Sequence, residues 1–249
     1  MANDLYLSRL ILNPRSRDVR RDLANCQELH RTILSAFPKT SSNDGGARNQ
    51  FGVLYRIETS PRMGSIALLV QSKPEPDWKN LMSGYLADTV GDVENPACKR
   101  IDGKYQALEE GLTLTFRLRA NPTRKIDTRT GPDGRRRNGK RVELRKEEDQ
   151  IAWMKRKAEL SGFRVLSVRV DANVPNLRAI PQSKETGWRQ AVQREGGTTE
   201  KNRLTFGSVL FEGELIITDA DLFRQALENG IGSGKAYGFG LLSIARSIR

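Results

Sequence analysis

Gly230-Ile-Gly-Ser-Gly-Lys-Ala-Tyr-Gly-Phe-Gly240 is the stretch on which the fold turns, because it reads either as a nucleotide loop or as a crossover between a helix and a strand. A phosphate-gripping Walker loop needs a glycine separated by four residues from its Gly-Lys pair, then a Ser or Thr for magnesium; Asn229 and Ala236 hold those positions. The dinucleotide fingerprint fails as well, since Lys235 stands where its third glycine belongs. Two uses remain. The glycines make a turn with positive φ and close packing, or they expose backbone N–H groups that, with Lys235, hold phosphate or sugar oxygens as an anion nest.

Outward from this block, the N-terminal side carries Leu222, Phe223, Ala226 and Leu227 at helical spacing behind a Thr218/Asp221 cap, and the C-terminal side continues as a strand over Leu241 to Ala245. Before them, Leu112 to Arg119 reads as a strand. Glu147 to Leu160 reads as a helix with Ile151, Met154 and Ala158 on one face, stopped by Gly162. Phe163 to Val170 alternates as a strand, and Trp188 to Arg194 pairs with Arg203 to Ile217 as a hairpin across Gly196-Gly197. The order is that of a βαββαβ unit with larger insertions.

The first half reads the same way. Leu5 to Leu12 is a buried strand, a helix capped by Asn25 and Glu28 runs to about Phe37, and a polar linker follows Pro38. Phe51 to Glu58 and Ser65 to Gln71 form a hairpin over a Ser60-Pro-Arg-Met-Gly64 turn. Pro76 and Asp77 open a helical stretch to about Leu86, and Lys104 to Glu109 returns as the last strand. The expected class is α+β, with two tandem ferredoxin-like (βαββαβ) domains over 1–109 and 110–249.

The 249 residues, 37% hydrophobic and 29% charged, suffice for one large core or two small ones without disulfide staples. The apolar run around Ile66 to Val70 is too short for a bilayer, and Leu5 to Leu12 is interrupted by Ser8 and Arg9 with no cleavage-like site after it, so a cytoplasmic protein is expected. Two cysteines, Cys26 and Cys98, and a single histidine do not make a Cys/His zinc site without another ligand type. No tight Asp/Glu motif marks a magnesium site. Neither metal nor cofactor is expected.

Charge points to a partner. The chain carries +12, and residues 117–146 hold twelve basic residues against Asp127, Asp133 and Glu143, a local +9. Such a field attracts a polyanion, nucleic acid first; the plainer reading is a solvated loop, which Gly131 to Lys140 contains. Arg117, Arg119, Arg124 and Lys125 lie at its start. Arg189, Arg194, Lys201 and Arg203 lie near the tip of the Gly196-Gly197 hairpin, as edge protection or as cations that follow an RNA stem by phosphate contacts. Aromatic residues, at 6%, are too few to mark a base-stacking sheet.

His30 is the one histidine. Leu29, Ile33 and Phe37 take the apolar stripe of its helix, which leaves His30 and Arg31 on the flank. It is a structural or exposed residue, or a proton donor and acceptor suited to RNA cleavage.

Several stretches in order carry a resemblance: Leu7-Ser-Arg-Leu-Ile-Leu12 and Arg21-Asp-Leu-Ala-Asn-Cys-Gln-Glu-Leu-His30 at the start; Phe116-Arg-Leu-Arg-Ala-Asn-Pro122 and Gln150-Ile-Ala-Trp153 in the middle; Val209-Leu-Phe-Glu-Gly213 and Gly230 through Gly240-Leu-Leu-Ser243 at the end. Together they resemble the type I-E CRISPR repeat RNA endoribonucleases, the CasE family of the RAMP superfamily. The resemblance implies binding of a repeat stem-loop and metal-independent cleavage at its 3′ base by the 2′-hydroxyl. The products would be a 2′,3′-cyclic phosphate and a 5′-hydroxyl, with mature guide RNA retained in the Cascade complex. It assigns His30 as catalytic; Arg31 and Lys235 are then the expected stabilisers of the pentavalent phosphate. Gly232, Ser233 and Gly234, with the cations named above, are the expected RNA contacts; by the resemblance, Arg194 falls near the family's hairpin cation. Two positions depart from the family pattern: Gln27 replaces a tyrosine common in relatives, and Ser233 a proline. Gln27 cannot ionise, which keeps a non-catalytic RNA-binding scaffold as the alternative; a third reading is an unrelated RNA-binding protein without preference for a repeat hairpin.

Overall fold

The computed structural model describes residues 4–39, 44–60, 64–89, 92–126, 140–190 and 201–247. Strand β1 (Tyr6–Leu12) is followed by helices α1 (Arg17–Ala24), α2 (Cys26–Leu34) and α3 (Asp44–Gln50), strands β2 (Leu54–Ser60) and β3 (Ser65–Ser72), a 3-10 turn at Trp78–Asn80, and β4 (Ala97–Arg100). Their sheet is antiparallel in the order β2-β3-β1-β4. Val19, Leu29 and Ile33 from the helices bury against Leu10, Leu12, Leu68 and Val70 on one sheet face. Alternation along β1 and β3 supplies that face, and burial of apolar surface is what holds the helices to it.

A short helix, α4 (Asp102–Gln106), leads to β5 (Thr113–Ala120), the ribbon β6 (Thr123–Ile126) and β7 (Lys140–Glu143), and helix α5 (Glu147–Glu159). Then come β8 (Phe163–Val165), β9 (Ser167–Val168), β10 (Asp171–Pro175), the long strands β11 (Leu177–Gln190) and β12 (Lys201–Ile217), α6 (Ala220–Asn229), a 3-10 turn at Lys235–Tyr237 and β13 (Leu242–Arg246). The second sheet runs β11-β12-β5-β13, with β8 pairing the far end of β12. Both sheets place the first and third strands of a βαββαβ unit in the centre, the ferredoxin-like arrangement. The second core gathers Phe116, Met154, Phe163, Phe211, Phe223 and Leu227.

Several elements differ from the sequence reading. The helix expected from Asn25 ends at Leu34 and is preceded by α1, and residues 44–50 of the expected linker form α3. That helix is fastened by its exit, where the Val53 N–H donates to Arg48 O and the Gly52 N–H to Asn49 O. The stretch from Pro76 is helical for one turn only. Trp78 Nε1 donates to buried Ser8, and Tyr85 donates its hydroxyl to Asp22, so the chain between follows those anchors. Residues 102–106 are helical and the last strand is Ala97–Arg100, paired with the edge of β1. Leu108 already belongs to the second core. The 163–170 strand breaks into β8 and β9, the hairpin strand begins at Leu177, and the Gly196-Gly197 tip lies outside the described residues. The cap of α6 is Asp219, whose carboxylate accepts from the Leu222 N–H at 2.9 Å.

Buried polar side chains of the first sheet, Arg56 and Gln71 among them, reach into the other half. Arg56, 2% exposed on β2, donates through Nη1 to Arg117 O and Leu241 O and through Nη2 to Ser243 Oγ. Glu58 accepts from its Nε and Nη2 at 3.1 and 2.6 Å. Burial pulls the Arg56 pKa down and Glu58 opposes that. Fully buried Gln71 on β3 donates to Leu227 O at 2.8 Å and accepts the Tyr105 hydroxyl. Replacing Arg56 with Met leaves the second sheet's carbonyls without this donor and removes the closer partner of Glu58. A loss of about 2 kcal/mol is expected, less than for a fully buried pair because Glu58 stays partly solvated; urea unfolding measures it.

Candidate active site at the junction of the sheets

Helix α2 begins at Asn25, whose side-chain oxygen accepts the Gln27 N–H at 3.1 Å, the standard satisfaction of a free helix N–H. The same oxygen accepts the Trp188 N–H of β11 at 3.3 Å. Strand and helix approach this closely because residue 187 is glycine: a Cβ there would lie 2.7 Å from Asn25 Oδ1 and 2.8 Å from Cys26 Sγ. The helix that carries His30 therefore rests its first turn on the hairpin of the other half.

His30 follows one turn later and is 2% exposed. The flank on which the sequence places it is covered by the glycine block: the Tyr237 ring meets the imidazole at 6.1 Å between centroids and 63° between planes. Gly234 at φ 77° and Gly238 at φ 82° bracket the Lys235–Tyr237 turn, both left-handed, which residues with a Cβ seldom adopt. Tyr55 from the first sheet donates its hydroxyl to Ala236 O at 3.0 Å, and Tyr237 donates to Gln27 Oε1 at 3.1 Å. Tyr237 also stacks on Phe206 of β12, at 4.9 Å.

The ionisable groups around this point differ in what they offer. Burial first, then Glu185, pushes the Cys26 thiol up to about 12, and burial raises the Tyr55 phenol well above its ordinary value. Neither is a nucleophile at neutral pH. Lys235 is half-buried and lowered, by loss of water first and then by Arg48 and Lys157. Arg31 is exposed, with Glu28 at 2.9 Å. Among the described residues no group of three or more His, Cys, Asp and Glu side chains is arranged to hold a metal ion.

Beside the glycine block opens a cleft of about 420 Å³, lined by Arg124, Lys125, Arg141, Arg156 and Lys157 over Trp153, Gly232 and Ser233, with no carboxylate among the described residues that line it. Ser233 bridges to Asn121 at the end of β5. A second, larger cleft of about 790 Å³ lies between the sheets and is charge-balanced. There Arg117 contacts Glu212 at 2.6 Å and Glu58 at 3.3 Å, and Arg178 contacts Glu212 at 2.7 Å.

Of the residues expected to meet RNA, Arg124, Lys125, Gly232 and Ser233 thus share the basic cleft, and Gly234 begins the turn next to it. Arg117 is engaged by carboxylates, as is buried Arg119, at 2.6 Å from Glu185 and over the Phe239 ring. Arg203 is exposed, its guanidinium 6.0 Å from the Trp188 ring. Arg189 and Lys201 lie at the ends of β11 and β12, where the backbone register sets Arg189 opposite Asn202 and Lys201 opposite Gln190. Arg194 lies outside the described residues. Sequence reasoning missed Arg141, Arg156 and Lys157 as members of one cleft, and gave Tyr237 no role. The signal for Tyr237 was its place as the one hydroxyl-bearing aromatic of the glycine block.

The family described as CRISPR associated protein matches residues 5–246. The chain belongs to this family. The CRISPR-associated endoribonuclease Cse3 of Thermus thermophilus is 34% identical over 241 residues, 97% of this chain and 100% of that protein. The CRISPR system Cascade subunit CasE of Escherichia coli is 29% identical over 97% of this chain and 99% of its own. A solved structure of Thermus thermophilus Cse3 bound to an RNA representing a pre-cleavage complex has a TM-score of 0.69 at 33% identity, covering 97% of this chain and 99% of that one. The crystal structure of Cas6e from Escherichia coli gives 0.58 at 28% identity, covering 97% and 100%. These family likenesses span both ferredoxin-like halves.

Asn25→Ala removes both the cap of α2 and the acceptor for Trp188. It is expected to cost about 1 to 2 kcal/mol, the range for losing a helix cap. Thermal melting checks this against Asn25→Asp, which keeps an acceptor oxygen and should lose much less.

Proposed function

We propose that this chain is a CRISPR repeat RNA endoribonuclease that binds the repeat stem-loop and cuts at its 3′ base without a metal. The observation that carries this reading is the single histidine, buried under a glycine block whose Gly232 and Ser233 line a basic cleft, with no carboxylate among the described lining residues. The 2′-hydroxyl of the scissile nucleotide attacks the adjacent phosphorus, the bond to the 5′ oxygen breaks, and a 2′,3′-cyclic phosphate and a 5′-hydroxyl result. His30 transfers a proton in that exchange, to the departing 5′ oxygen or from the 2′-hydroxyl; imidazole is the side chain suited to both near neutral pH.

Lys235 and Arg31 stabilise the charge that builds on the pentavalent phosphate. Lys235 is crowded by Arg48 and Lys157 and short of water, so an arriving phosphate relieves a repulsion already present. Arg124 and Lys125 in the cleft, with Arg189, Arg194, Lys201 and Arg203 on the hairpin, follow the stem phosphates, and Gly232, Ser233 and Gly234 meet the backbone near the cut. Arg117 and Arg119 reach RNA in this reading only by exchanging Glu212 and Glu185 for phosphate. The division at 109/110 gives residues 1–109 the histidine and 110–249 the basic hairpin and glycine block. The work would take place in the cytoplasm, in keeping with the lack, among the described residues, of a helix long and apolar enough to cross a membrane. The likeness to a Cascade subunit supports retention of the mature guide RNA within that complex.

His30→Ala is expected to abolish cleavage of the repeat RNA while RNA affinity stays the same. Wild-type protein should cut in EDTA and fail on RNA carrying a 2′-deoxy sugar at the scissile position; efficient cutting of the deoxy substrate would falsify the mechanism. Tight binding with no cleavage of the natural repeat would leave the scaffold role instead. Replacing Arg124, Arg141 and Arg156 together by Gln should weaken binding at every sequence tested. The slope of log affinity against log salt should fall by about 2 to 3, as loss of three phosphate contacts requires.

A further inference from the structure

The geometry points to Tyr237 as a positioning residue of the His30 site: its hydroxyl, seated on the Gln27 side chain, fixes the imidazole and the first turns of α2 against the glycine block. The inference rests on the reading that His30 moves the proton. Gln27 and His30 are three residues apart and so share one face of α2. Both meet Tyr237, one through a 3.1 Å hydrogen bond and the other through the ring contact.

Gln27 is 3% exposed, so little water replaces the phenol if the bond is lost. The ring is held from behind by Phe206 at 27° between planes. Its backbone is held by the left-handed glycines and by the Tyr55 hydroxyl on Ala236 O. With its own place fixed from three sides, Tyr237 is a rigid stop for a helix that belongs to the other half of the chain. None of its atoms is asked to touch the reacting phosphate. Orienting a proton donor within a fraction of an ångström is where such a stop acts on rate.

The test uses the full chain and the repeat RNA. Tyr237→Phe keeps the ring and removes the hydroxyl; Gln27→Leu keeps the volume and removes the acceptor. Each is expected to slow single-turnover cleavage at saturating protein by about tenfold or more, with RNA Kd within about twofold of wild type. The double variant should be no slower than the slower single one, because both remove the same bond. As His30 is the one histidine, its ring C–H signal in the NMR spectrum needs no assignment, and it should move in both variants of the free protein. Melting temperatures identify a variant that has lost its fold, in which case the other decides. A wild-type rate in a folded Tyr237→Phe, rates that multiply in the double variant, or an unmoved histidine signal overturns the inference. Cleavage by His30→Ala instead overturns the proposed function, and the NMR arm still reports whether the Tyr237–Gln27 pair sets the ring.

Discussion

A buried guanidinium ties one sheet directly to the other. Arg56 leaves the first sheet and ends on two carbonyls and a serine hydroxyl of the second, with Glu58 beside it to balance the charge. Burying an arginine costs several kcal/mol unless its donors are met, so the side chain is useful only when the second sheet presents those acceptors in place. One of them, Leu241 O, directly follows the glycine block. Fixing that carbonyl fixes where the block ends, and with it the turn that covers His30.

The site is a product of this joint and belongs to neither half alone. Asn25 ties the start of α2 to β11, Tyr55 reaches from β2 to Ala236, and Tyr237 reaches back to Gln27. Each is a short contact between residues far apart in the chain. The glycines earlier weighed as turn or anion nest serve first as a turn, since left-handed backbone at Gly234 and Gly238 sets the direction of Lys235 and Tyr237. The cleft beside them gathers five cations with no carboxylate among its described lining residues, a field that draws in a phosphate.

Much of the fold was legible because the strands at Tyr6–Leu12, Ser65–Ser72 and Thr113–Ala120 and the helix Glu147–Glu159 carry the periodicity of the faces they bury. What could not be read was set by distant partners. Residues 76–86 follow the anchors of Trp78 and Tyr85, not their own helical pattern. The charge sum over 117–146 treated Arg117 and Arg119 as open cations, yet their carboxylates lie 95 and 66 residues away, beyond any local window. The basic cleft suffered the reverse error, as Arg156 and Lys157 sit on a helix read only for its apolar stripe. Tyr237 and Gln27, 210 residues apart, are joined only by the folded joint.

The two clefts differ in charge balance, and this makes salt a selective reagent for the molecule. Exposed, unopposed cations lose their hold on a polyanion as ionic strength rises, because screening shortens the reach of their field. Arg56 is itself buried, with its donors met inside the protein, and feels the change far less. A concentrated salt wash should therefore strip co-purifying nucleic acid from the protein while leaving the joint, and the packing over His30, as they were.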